Sequence, residues 1–221
     1  VNRNAQIGKI TTILSLVVLG SGMYITFTRP ELSSWAISAL LIGFLFSQIG
    51  IYYSNRWGRH PRPDEIIDGA LKGYGDDYHL YHYSTKASHL LVGPAGVWVL
   101  LPKHQSGTIV FKRNRWRKTG VGIFGAYLNI FGQEGLGRPD IEIEAEIGGL
   151  KRDLKKKMPD QEIPAVQAAL IFTHPKINIL TIDPPSPTLK PKQLKDYLRK
   201  EAKKKPITLD MVKKIQAVLE E

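Results

Sequence analysis

The chain has 221 residues, of which 43% are hydrophobic and 23% charged, a balance that excludes a disordered or low-complexity polymer. Cysteine is absent, which excludes disulfide staples, thiolate metal sites and a cysteine nucleophile. Lys and Arg outnumber Asp and Glu by 31 to 20, for a formal net charge of +11, and the mean hydropathy of −0.17 averages two unlike parts.

No charged residue occurs in positions 10–28 or in positions 32–55. As helices at ~1.5 Å per residue these stretches reach ~28 and ~36 Å, against a bilayer hydrocarbon core of ~30 Å. Bulky apolar side chains fill both, including Ile13, Leu14, Leu16 and Leu19, then Leu41, Ile42, Phe44 and Phe46. Thr28, Arg29, Pro30 and Glu31 make the turn between them, with Pro30 stopping the first helix. Arg3 and Lys9 give the first stretch the look of a secretory leader, but a second span directly after it favours a retained two-helix membrane hairpin. The expected division is a hairpin in 1–57 (helices at about 10–28 and 32–55), a linker at 58–63 and a working domain at 64–221. Gly20, Ser21 and Gly22 with Ser33 and Ser34 supply small residues for close helix packing.

Basic residues flank the hairpin on one side: Arg3 and Lys9 before it, Arg56, Arg59 and Arg62 after it, with only Arg29 beside Glu31 in the turn. This asymmetry predicts an integral membrane protein with both termini and the C-terminal domain cytoplasmic. Trp35 at one end and Tyr52, Tyr53 and Trp57 at the other fit interfacial anchors. Residues 1–55 carry Arg3, Lys9 and Arg29 against Glu31, or +2, which leaves +9 of the +11 for the rest. A domain of that charge beside an anionic leaflet is drawn to lipid head groups and to nucleic acid alike.

The working domain opens with a short helix over 64–71, whose apolar face is Ile66, Ile67, Ala70 and Leu71. Strands are predicted over 78–83, 89–92 and 96–101, the last two joined by a tight Gly93-Pro94-Ala95-Gly96 turn. A second hairpin runs over 108–111 and Trp116, turning at 112–115, and 120–137 is a glycine-rich loop. From Asp140 the period becomes helical, with Ile143, Ile147, Leu150 and Leu154 on one face, acidic residues in the first turns and Lys155 to Lys157 in the last. Residues 165–172 suit a buried strand, and 190–204 and 208–219 are helices. This order predicts an α/β fold with a mixed sheet flanked by helices, preceded by two transmembrane helices.

The run from His89 to Lys103, with its Gly-Pro-Ala-Gly turn and the following Ser106-Gly107, resembles the central motif of the NERD (nuclease-related) domain family. Pro63-Asp64-Glu65 resembles that family's upstream Gly-Glu helix, Arg138 to Glu142 stands where it has an Asn-Pro-x-x-Gln helix start, and the two terminal helices match. The resemblance covers roughly residues 62–219 and implies a restriction-endonuclease-like fold related to the PD-(D/E)XK nucleases. In such a site two carboxylates hold Mg²⁺ and a lysine orients the attacking water. Here the resemblance puts Ser88 at the metal-binding Asp, Leu101 at the Glu, and Lys103 at the lysine, with Glu65 as the helix carboxylate. A serine hydroxyl is a poor Mg²⁺ ligand and leucine is none, so the site reads as vestigial and the domain as a non-enzyme with no cofactor. Relocated ligands, from Glu65, Glu142, or His89 and His104, are the alternative. His79 and His82 fall on opposite strand faces, so no metal site is expected, and Gly120 to Gly125 lacks the strand–loop–helix setting of a dinucleotide site.

Basic clusters remain. Lys112, Arg113, Arg115, Arg117 and Lys118 surround Trp116, and Lys192, Lys195 and Arg199 line one face of the penultimate helix. These are candidate phosphate or lipid contacts, set against the plain reading of a solvated charged face. Lys151, Arg152 and Lys155 to Lys157 make a further patch. The sequence therefore predicts a membrane-anchored, catalytically inactive nuclease-like domain serving as a binding or scaffold subunit among integral membrane proteins. Anionic lipid and nucleic acid are the other candidate partners, and a metal-dependent nuclease with relocated carboxylates is the other activity.

Overall fold

A computed structural model describes residues 2–58, 60–119, 135–204 and 206–220; most of the expected glycine-rich loop, with Gly120 to Gly125, lies outside them. The chain divides into two compact units, an N-terminal one through Arg62 and a second beginning at Pro63.

In the first unit α1 (Asn2–Thr28) and α2 (Ser33–Tyr53) form a hairpin around the 3₁₀ turn Pro30–Leu32. Helix α1 starts eight residues earlier than the uncharged stretch, because nothing in residues 2–9 breaks a helix. Both helices are long and apolar enough to cross a membrane. The side chains buried between them are small and recur every seven residues: Gly8, Ser15 and Gly22 on α1, and Ala36, Gly43 and Gly50 on α2. Seven residues is close to two turns, so each triplet forms one seam. A Cβ at Gly43 would lie 2.7 Å from Leu19 Cγ, and one at Gly50 would lie 2.5 Å from Thr12 Oγ1, so the backbones approach too closely for any larger residue.

The bulky side chains point the other way, with Ile13, Leu16, Phe27, Trp35, Leu41 and Phe44 exposed. Hydroxyls within the helices donate to carbonyls three or four residues back, as Thr12 Oγ1 does to Gly8 O and Ser15 Oγ to Thr12 O. No donor of those hydroxyls needs water. The small residues singled out in the sequence are corrected accordingly. Gly22 packs, but Gly20 has nothing within 4 Å of a Cβ position, and Ser21, Ser33 and Ser34 face outward.

The second unit begins with α3 (Pro63–Leu71) and continues β1 (His79–His82), β2 (His89–Gly93), β3 (Gly96–Lys103), β4 (Gly107–Lys112) and β5 (Arg115–Thr119). Then come α4 (Pro139–Lys157), β6 (Val166–Phe172), β7 (Ile177–Thr181), β8 (Thr188–Leu189), α5 (Pro191–Lys204) and α6 (Leu209–Glu220). One mixed sheet has the order β1-β2-β3-β6-β8, with β3, β6 and β8 parallel; a smaller mixed sheet has the order β5-β4-β7. The fold is thus α/β with mixed sheets flanked by helices. Strands β7 and β8 are additions to the expected elements; β7 shows half-exposed alternation and β8 has only two residues.

Strand β3 decides the layering. Val97, Val99 and Leu101 join Ile143, Leu150 and Leu154 of α4 in one core, while Trp98 and Leu100 join Ile67 and Leu71 of α3 and Leu194 and Leu198 of α5 in another. Period-two alternation sends successive residues to opposite helical layers. The β2–β3 hairpin closes Gly93 against Gly96, with Trp98 Nε1 donating to Ala95 O at 2.9 Å. A Cβ at Gly93 would collide with the Tyr78 ring, so glycine is required there.

The helix seam has a direct test. A Cβ at Gly22 would sit 3.2 Å from Ala39 Cβ, close to the ~3.5–4.5 Å separation of a disulfide. In this cysteine-free chain, Gly22→Cys with Ala39→Cys should oxidise to a disulfide that blocks maleimide-polymer labelling. Gly20→Cys with Ala39→Cys should remain reduced; the opposite pattern would refute the register.

Candidate functional site

Alternation along β2 and β3 brings Ser88, Leu101 and Lys103 to one face. Ser88 precedes Leu90 and Val92, and Lys103 follows Val99 and Leu101, all on the α4 side. Extending the register that pairs Leu90 with Val99 places Ser88 opposite Leu101. Helix α4 starts at Pro139, whose fixed φ suits a first helical position, and presents Glu142 and Glu146 one turn apart toward those strand ends.

Lys103 is 3% exposed, and its Nζ donates to Glu142 Oε2 at 2.7 Å. Ser88 engages both oxygens of Glu146, with Oγ donating to Oε1 at 2.7 Å and the backbone N–H to Oε2 at 3.2 Å. Leu101 is buried in the core. At the two positions where the resemblance would put metal ligands stand a hydroxyl and an alkyl group, which do not fit Mg²⁺. Glu65 is not brought to this point: α3 packs on the other face of the sheet, across from α4. Among the described residues no three His, Asp or Glu side chains are grouped so as to hold a metal ion.

His89 and His104 also part company. His104 Nδ1 lies 3.0 Å from Thr173 Oγ1, at the bend where β3 and β6 give way to β4 and β7. His89 faces the α3 side, where its Nδ1 is 2.6 Å from His82 Nδ1 and His82 Nε2 is 3.1 Å from Asp68 Oδ1. No local pattern announces this pair, because it arises from the β1–β2 register that sets His82 opposite His89.

The basic clusters are sorted by the structure. Lys195 Nζ donates to Lys72 O at 2.8 Å and Gly73 O at 3.1 Å, bracing the end of α3. Arg199 pairs with Asp196 at 3.6 Å, and Lys192 is exposed on α5. Lys118 turns inward, donates to Gln105 Oε1 at 3.2 Å and has its pKa lowered by burial. Lys112, Arg113, Arg115 and Arg117 stay exposed on the β4–β5 hairpin. Lys112, Arg115 and Arg117 flank Val110 on the outer sheet face, in a groove of about 660 Å³.

Trp116 does not stand among these cations as the sequence suggested. Its register partner is Phe111, its ring centroid lies 4.8 Å from that of Phe111, and it packs toward the interior. No family model matches the chain, and no curated protein or solved structure matches it either.

Breaking the Lys103–Glu142 pair leaves a buried ammonium, so Glu142→Ala should cost about 2 kcal/mol, less than a fully buried pair because Glu142 is partly exposed. That corresponds to a fall of about 4–8 °C in Tm. Lys103→Met in the same background should recover part of the loss, as read by thermal unfolding of the full chain in detergent. Equal Tm values for Glu142→Ala and the parent would refute a stabilising pair.

Proposed function

We propose that the chain is a membrane-anchored, non-catalytic binding module, a scaffold subunit for integral membrane proteins built on a degenerate nuclease-like domain. The resemblance to nuclease-related domains supports a restriction-endonuclease-like reading of the α/β unit, with its helix, hairpin, helix and strand in the family's order. Basic flanks support a topology with both termini and the domain cytoplasmic.

The observation that carries the proposal is the engagement of every group at the old site. Glu142 neutralises Lys103, Glu146 is occupied by Ser88, and Leu101 is core. A lysine held in this way is not free to orient water against a phosphate. The hairpin supports anchoring, since its large apolar side chains face outward and its small ones inward, the reverse of a water-soluble pair. Outward-facing Gly20, Ser21, Ser33 and Ser34 leave shallow surface on which another membrane helix packs.

The full chain in nanodiscs should leave duplex DNA, single-stranded DNA and RNA intact with Mg²⁺ or Mn²⁺. Metal-dependent cleavage that disappears in Lys103→Met would overturn the reading and make Glu142 and Glu146 relocated ligands.

A further inference from the structure

The outer face of the β5-β4-β7 sheet combines two features that the sequence did not connect. Across the register, Arg117 pairs with Val110 and Val110 with Leu180, while Arg115 pairs with Lys112. Ile182 extends the ladder by donating its N–H to Phe111 O at 3.1 Å. Leu180 and Ile182 are 54% and 63% exposed, so two large aliphatic side chains stand in water beside Lys112, Arg115 and Arg117. None of Lys112, Arg113, Arg115 and Arg117 forms an ion pair with a described residue.

The turn at the tip is strained. Arg113 and Asn114 have φ of 54° and 56°, the two-residue turn geometry that favours Asn-Gly. Asparagine tolerates that conformation, but a long side chain such as Arg113 adopts it at a cost. The strain holds a guanidinium at the outermost point of the basic face.

We propose that this face docks on the head-group region of an anionic bilayer, with Leu180 and Ile182 entering the interface and the four cations contacting lipid phosphates. A surface that pairs cations with aliphatic side chains matches an interfacial membrane site. A single-stranded nucleic-acid face instead needs aromatic platforms, and the two aromatics of the hairpin, Phe111 and Trp116, pack inward. The inference rests on the anchoring reading: Ser54–Gly58 continue α2 as a π-helical turn, which leaves residues 59–62 to join it to this unit, a tether of at most ~14 Å even if fully extended. Tethering raises the local concentration of lipid, so a weak face suffices. Each cation at such a surface strengthens attachment about fivefold.

The absence of cysteine permits a clean test. Leu180→Cys in the full chain, labelled with an environment-sensitive fluorophore, is reconstituted into vesicles of phosphatidylcholine alone or with about 30% phosphatidylglycerol, a charge density that binds polybasic segments. The expected result is a blue shift and quenching by nitroxide lipid only in the anionic vesicles, lost at about 0.5 M KCl, where screening is strong. Arg113→Ala, Arg115→Ala and Arg117→Ala together should lower the docked-to-undocked ratio roughly 100-fold.

Should that variant fold poorly, Arg113→Gly serves instead. It should raise Tm by relieving the turn yet reduce quenching, a split that a purely structural role for Arg113 does not give. No quenching in anionic vesicles overturns the proposal, as does equal quenching in both lipids. A dye response to duplex DNA or RNA that lipid does not give also overturns it, in favour of a nucleic-acid face. Alkaline carbonate extraction of the same vesicles separates the two readings: a chain that resists extraction but shows no quenching is anchored without docking, whereas a chain that is extracted refutes the anchor itself.

Discussion

Strand β3 is covered on both faces, and the rest of the second unit follows from that constraint. Val97 to Leu101 alternate between two cores, so α4 must meet one face and α3 with α5 the other. The last residue of the strand on the α4 side is a lysine. Burial of an ammonium is tolerable only with an anion at hydrogen-bond distance, and Glu142 provides it at 2.7 Å. That pair fixes how α4 lies along the strand ends and sets Glu146 one turn on, where it takes the Ser88 hydroxyl. The buried lysine and the serine thereby serve to pack α4 against the strand ends.

The hairpin obeys the opposite rule. Water-soluble helices bury their large apolar side chains and expose small or polar ones. In α1 and α2 the contact is made by glycine, serine and alanine, and leucine, isoleucine and phenylalanine look outward. Close backbone approach supplies dispersion contact where the surroundings are as apolar as the side chains. Were the hairpin inserted in a bilayer, lipid contact by the basic sheet face would add a second, salt-sensitive hold.

Much of this is legible in the sequence. The apolar runs of β2 and β3, the Gly-Pro-Ala-Gly turn, the acidic start and basic end of α4, and the two uncharged stretches each state their own structure. Other features depend on contacts that no local pattern records. Lys195 reads as one of a basic stripe until α5 is seen beside the end of α3. Trp116 lies between arginines in sequence, but alternation turns it inward while Arg115 and Arg117 turn out. Strand β7 is short and half exposed, so Leu180 and Ile182 look like ordinary loop residues until they pair beside β4. The seven-residue spacing of Gly8, Ser15 and Gly22 was visible, but the denser Gly20-Ser21-Gly22 cluster masked it, and only the helix seam distinguishes them.

Glu142 and Glu146 of α4 are committed to Lys103 and Ser88, and the proposed function requires that they bind no metal. Titration of Mn²⁺ into the full chain in nanodiscs, with free ion followed by electron paramagnetic resonance, tests it most directly. The account predicts that the free-ion signal rises in step with added Mn²⁺, as it does for empty nanodiscs. Stoichiometric loss of that signal, restored by Glu142→Gln together with Glu146→Gln, would contradict it.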